Sequence, residues 1–158
     1  MGYEPCDLQG KVVLVTGGNS GIGLGMAEGL AQAGAAIEVW GTNPDKNRAA
    51  QERLAAHGTA ITARRVDVTD ENAVDKAMGD LLSTHGRLDA CFANAGIGAR
   101  LSPFHQMSTD AWEEVMAINL RGKFFTLRAA AAHMVERAQH GDTGGALVAI
   151  SSTSAFMG

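Results

Sequence analysis

Thr16 to Gly23 reads TGGNSGIG, with glycines at 17, 21 and 23. Glycine removes the side chain that would hold a ligand off the backbone, and a helix that opens there presents free N–H groups to an anion. Between a strand and a helix, such a stretch suits the pyrophosphate of a dinucleotide. Its other reading is a tight turn with close helix packing. The spacing is Gly-x-x-x-Gly-x-Gly rather than G-x-G-x-x-G. Three more polar or small-residue stretches close apolar runs further on: Asp67-Val68, Asn94-Ala95-Gly96 and Ser151-Ser152. Asp67 either accepts from an adenine amino group or caps the next helix. Asn94, Ala95 and Gly96 are small enough for a cofactor to lie against their backbone. Ser151 and Ser152 open a serine-rich loop at a strand end, a place where chemistry is often carried.

Other reactive side chains have plainer readings. Cys91 lies in the apolar stretch LDACFANAG and reads as a small buried hydrophobe. Cys6 falls in an N-terminal tail, residues 1–9. Three histidines precede glycine, at His57-Gly58, His85-Gly86 and His140-Gly141, where helices end: glycine takes the left-handed position and histidine faces the negative dipole end. His105 and His133 have no partner at metal-ligand spacing, so no metal site is expected.

The elements that must position these residues alternate. KVVLVTG (11–17), AIEVWG (36–41), AITARRVDV (60–68), LDACFANAG (88–96) and ALVAISS (146–152) read as strands, with helices between. The first and last are near-continuous apolar runs, as in strands covered on both faces. Asn43-Pro44 reads as an N-cap with proline in the first turn. The long helical piece from Thr109 to Gln139 holds Asn119 and Gly122 at its middle, both poor helix formers, so an irregularity is expected there. Strictly alternating elements predict an α/β fold, a doubly wound parallel sheet of Rossmann type, in a single domain over 1–158. In such a sheet all four stretches fall on one edge, and their convergence points to one shared ligand.

Composition limits the partners. The 158 residues are 46% hydrophobic and 19% charged, with a net charge of -4. The negative balance argues against nucleic acid or an anionic membrane as partner. No apolar run approaches the roughly 20 residues that span a bilayer. The N-terminus has no basic region followed by an apolar stretch, and two cysteines suggest no disulfide framework, so the expected location is cytoplasmic.

TGGNSGIG, DV, NAG, NLRG and ISS, in that order, make the chain from about Leu8 resemble the short-chain dehydrogenase/reductase family. The resemblance implies that Gly17, Asn19, Ser20, Gly21, Ile22 and Gly23 hold the pyrophosphate and adenosine ribose. It implies that Asp67 and Val68 contact adenine and that Asn94, Ala95 and Gly96 line the cofactor cleft. Asn119 would support a water in a proton relay, and Ser152 would hydrogen-bond the substrate oxygen. Gly41-Thr42-Asn43, at the position that discriminates the cofactors, holds no acid, which favours NADP over NAD. Thr42 is the candidate contact there. The implied activity is interconversion of a small-molecule carbonyl and a secondary alcohol, in a homo-oligomer packed through the long helix. The family also needs a Tyr-x-x-x-Lys beyond the serine. The one tyrosine is Tyr3, and Lys123 matches no such motif. The chain is therefore expected to be a C-terminally truncated portion of a longer parent, inactive alone. The alternative is a non-catalytic dinucleotide-binding or sensor module ending near Gly158. A methyltransferase would share the glycine turn but has no use for NAG, NLRG and ISS.

Overall fold

The computed structural model describes residues 7–98 and 103–153, so Tyr3, Cys6 and Ser154 lie outside the described residues. Five strands are β1 (Val12–Thr16), β2 (Ala36–Gly41), β3 (Ile61–Arg65), β4 (Ala90–Ala93) and β5 (Ala146–Ala149). The helices are α1 (Gly21–Gln32), α2 (Pro44–Ala55), α3 (Glu71–His85), α4 (Thr109–Met116) and α5 (Lys123–Gln139). A π-helical turn, Ala117–Gly122, joins α4 to α5, and a short 3-10 turn spans Phe104–Gln106. All strand pairs are parallel, in the order β3-β2-β1-β4-β5.

Alternation along the strands sends side chains to two cores. Val13, Val15, Ile37 and Val39 pack with Ala27, Ala31 and Leu54 of α1 and α2. Val12, Leu14, Trp40 and Cys91 face Val74, Met78 and Leu81 of α3 and Ala130 of α5. The sheet order therefore reverses between β1 and β4, with α1 on one face and α5 on the other. In doubly wound sheets that reversal opens a crevice at the carboxyl ends of the strands.

Local chemistry sets the element ends. Asn43 Oδ1 accepts from Lys46 N, with Pro44 in the first turn of α2. Gly58, Gly86 and Gly141 all have positive φ, as the three His-Gly ends required. The expected irregularity near Asn119 is the π-helical turn. The strands end inside their expected runs, β3 and β4 most of all. β3 stops at Arg65 because the chain then turns on Asp67, whose Oδ1 accepts from Thr69 N and Oγ1. β4 stops at Ala93 because Asn94 N and Ala95 N leave the ladder for Thr16 Oγ1. β1 is buried throughout, while among the described residues β5 stands at the sheet edge with Leu147 45% exposed. Its apolar run reflects composition without two-sided cover among the described residues.

Candidate functional site

At the carboxyl ends of β1 to β5 lies a cleft of about 1020 Å³. Of the fourteen candidates, all but Gly21 line it: Gly17, Asn19, Ser20, Ile22, Gly23, Thr42, Asp67, Val68, Asn94, Ala95, Gly96, Asn119 and Ser152. Gly21 stands at the first position of α1 with φ 54°.

The glycine turn is closed by its own packing. Gly17 has φ 65°, and a Cβ there would lie 3.1 Å from Ala95 Cα. A Cβ on Gly23 would overlap Gly17 O and come within 2.5 Å of Asn94 Nδ2. These contacts press the start of α1 against the end of β4, so the close-packing reading of the glycines holds. What remains open is the helix end. Ser20, the N-cap of α1, makes no side-chain cap hydrogen bond, and the first turn holds no acid. By contrast α2, α3 and α4 are capped by Asn43, Asp70 and Ser108 and carry Asp45, Glu71 and Asp110 in their first turns. Only α1 of these four presents uncovered N–H groups and an unneutralised positive dipole end to the cleft.

Hydrogen bonds at the sheet edge fix the cleft floor. Thr16 Oγ1 accepts from Asn94 N at 3.0 Å and Ala95 N at 2.9 Å, and Asn94 Nδ2 donates to Thr16 O. Asn119 clamps the next residues through both ends of its amide: Ile97 N donates to Oδ1 and Nδ2 donates to Ile97 O. The π-helical turn is what brings Asn119 to this loop. Behind it, a Cβ on Gly122 would lie 2.7 Å from Val68 Cγ2, so the turn rests on the segment after β3. Asp67 is engaged with Thr69, and the cap of α3 is Asp70, whose Oδ1 accepts from Ala73 N. The capping alternative for Asp67 is thereby excluded. At the end of β2, Asn19 Nδ2 donates to Asn47 Oδ1, and Asn47 Nδ2 donates to Gly41 O and Arg64 O. Thr42, Asn43 and Lys46 form the exposed rim there.

Lys123, which lines the cleft, and Thr16 and Asn47, which brace it from behind, are positions the sequence reading missed. Thr16 closes an apolar run, and its partners are 78 and 79 residues away. Lys123 Nζ donates to Ala95 O at 2.6 Å, and burial lowers its pKa. Ser151 and Ser152 meet the cleft at the end of β5. Cys91 is fully buried with its thiol pushed up to about 12, as its apolar setting implied. Among the described residues no cluster of three His, Cys, Asp or Glu could hold a metal ion, and no helix is long and apolar enough to cross a membrane.

Residues 11–158 match the family model described as short chain dehydrogenase. The chain is 36% identical over 129 residues to a 3-oxoacyl-[acyl-carrier-protein] reductase of Chlamydia pneumoniae, covering 82% of this chain and 52% of that protein. It is 36% identical over 155 residues to an L-rhamnose 1-dehydrogenase (NAD(P)(+)) of a Sphingomonas species, covering 96% and 58%. A solved short-chain type dehydrogenase/reductase from Mycobacterium ulcerans superposes with a TM-score of 0.87 at 37% identity, over 94% of this chain and 54% of that one. The chain spans about half the length of the curated relatives it matches.

Proposed function

This chain belongs to the short-chain dehydrogenase family, and on that premise we propose that it forms the cofactor half of an NAD(P)-dependent oxidoreductase that interconverts a carbonyl and a secondary alcohol. The observation that carries the dinucleotide reading is the bare N-terminus of α1. It faces a cleft whose walls are the candidate residues, and its N–H groups suit a pyrophosphate. A bound nicotinamide cofactor supplies the hydride of such a reaction. Asn94, Ala95 and Gly96 give that cofactor a flat backbone wall. Ser152, at the end of β5, orients the substrate oxygen. Asn119 holds the loop at Ile97 and supports the water of a proton relay.

Proton exchange at the oxygen is not assigned to these residues. A serine hydroxyl is too weak an acid for it at neutral pH, and the single tyrosine is Tyr3. Residues 1–158 alone are therefore expected to bind a dinucleotide and to reduce reactive carbonyls at no useful rate. Turnover by that fragment close to that of a full-length relative, in an NADPH or NADH assay, would sink this assignment. The competing reading is a dinucleotide-binding or sensor module without catalysis. Dinucleotide-dependent turnover by the whole protein that carries this chain excludes it.

NADP is the preferred cofactor in this reading. The rim at the end of β2 offers Thr42, Asn43 and the exposed cation Lys46, with no acid at 41–43 to repel a 2′-phosphate. Fluorescence titration is expected to give tighter binding of NADPH than of NADH, and a clear NADH preference would overturn it. We also propose a homo-oligomer built on α4, the π-helical turn and α5, where Trp112, Leu120, Phe124 and Val135 are exposed, and a reducing cytoplasmic setting.

A further inference from the structure

We propose that Lys123 is a cofactor-binding residue, its ammonium group meeting an anionic oxygen of the bound dinucleotide; the inference rests on the dinucleotide reading above. Lys123 opens α5 directly after the π-helical turn and lines the cleft. Its Nζ donates to Ala95 O at 2.6 Å. An ammonium carries three N–H donors, so that bond leaves two for a ligand. A Cβ placed on Gly96 would meet this nitrogen at 3.5 Å, so the ammonium and the backbone of residue 96 share one wall of the cleft.

The charge balance is what singles it out. Most described lysines and arginines pair with a carboxylate, from Lys11 with Asp89 to Arg137 with Asp142. Lys46, Arg65 and Arg121 do not, and all three are exposed. Lys123 is the partly buried cation among the described residues with no carboxylate partner, and desolvation is the one influence on its titration. Taking a cation out of water without a counter-charge is unfavourable, and its persistence in a cleft marks a group whose counter-charge arrives with a ligand. The position selects which ligand. Ala95, whose carbonyl holds the ammonium, also abuts Gly17, 3.1 Å from a Cβ built there. The cation and the glycine turn thus meet the same residue, Ala95, in the wall of the cleft.

The test uses the whole protein that carries this chain, as wild type, Lys123→Met and Lys123→Arg. NADPH and NADH are titrated by fluorescence, and ADP-ribose and adenosine by competition. Lys123→Met is expected to weaken NADPH and ADP-ribose about tenfold at low salt, with the deficit shrinking at high salt. Lys123→Arg should stay within about threefold of wild type, because the charge remains. Adenosine, which has no phosphate, should bind both variants as it binds wild type. Equal NADPH affinity in wild type and Lys123→Met overturns the proposal while leaving the dinucleotide reading intact. Equal losses for adenosine and ADP-ribose, or equal losses in Met and Arg variants, also overturn it and make Lys123 a support of the Ala95 loop only. A Michaelis constant for substrate that rises while dinucleotide affinity holds assigns the cation to the substrate instead. A wild type that binds no dinucleotide overturns both readings. Should Lys123→Met not fold, the same comparison is made with Lys123→Gln.

Discussion

At the scale of single residues, the least expected group is Glu38, wholly buried in the second strand beneath α3. Trp40 Nε1 donates to its Oε1, Arg64 Nε lies 2.7 Å from the same oxygen, and His85 Nε2 lies 3.3 Å from Oε2. The Arg64 contact is charge proximity, since Nε makes no directed hydrogen bond among the described residues. Burial pushes the carboxyl up to about 7, against the pull of Arg64 and Trp40. It also lowers the pKa of His85, with Arg64 adding to the effect. The folded chain holds the Glu38 proton more tightly than the unfolded one, whose carboxyl sits at its ordinary 4.5. Its contribution to stability is therefore whole below that value and lost as pH rises through about 7. His85 acts in reverse: its neutral ring favours the fold above 6.5, and that contribution is lost as pH falls through its lowered value. Relative to Glu38→Gln, the wild-type Tm is expected to fall by about 4 °C or more between pH 5 and pH 8 in a melting series. Equal pH profiles would remove Glu38 as the cause. A second residue carries a kinetic prediction. In the whole protein, Ser152→Ala should lower kcat about a hundredfold while leaving NADPH affinity within about twofold, read from steady-state rates and titration together. The irregularity at Asn119 was legible because an asparagine inside a helix is a local anomaly, whereas Ser152 was singled out from Ser151 only by the family resemblance. Thr16 and Lys123 were not legible, because each looks ordinary until a distant strand supplies its partner.

At the scale of elements, two glycines act as spacers between parts distant in sequence. Gly23 sets α1 against the end of β4, and Gly122 sets the π-helical turn against Val68. Gly122→Ala places a Cβ 2.7 Å from Val68 Cγ2 and 3.1 Å from Val68 O. The fold must shift there, at a cost of about 1–3 kcal/mol measured by urea denaturation. A cost below about 0.3 kcal/mol would mean that the turn is free to move. Helix ends were the most readable elements, because Asn43-Pro44 and the His-Gly pairs are local devices whose partners lie within four residues. Strand ends were less so. β3 and β4 stop where a side-chain oxygen takes over the backbone, Asp67 in one case and Thr16 in the other. Apolar periodicity carries no trace of that competition. Nor does it report neighbours, which is why β5 reads like β1 yet lies at the sheet edge.

For the whole molecule, the two ends of the sheet differ in kind. At the amino ends of the strands, Asp89 accepts from Val12 N and Arg87, and Arg137 of α5 donates to Leu88 O and pairs with Asp142. This network ties β1, β4 and α5 together away from the cleft. The alternation of elements made the doubly wound architecture legible, because each crossover must return to the same sheet edge. On the outer side of α5, Phe124 and Arg128 stack, with Arg128 5.2 Å from the ring centroid, and Val135 continues the apolar face. Phe124→Glu is expected to convert an oligomer to monomer in analytical ultracentrifugation with Tm little changed, and an unaltered sedimentation coefficient would place the interface elsewhere. One rod thus carries the Asn119 clamp on the loop at Ile97 on its inner side and the proposed contact with a second copy on its outer side. The π-helical turn sets the rotational phase between α4 and α5. Deleting one residue from 117–122 would let ordinary helix run through and turn one half against the other by roughly 100°. Such a shortened chain should gain helical regularity while misaligning either the Asn119 clamp or the outer apolar stripe. The extra residue works as a gear setting, keeping the cleft and the proposed assembly face in step along a single helix.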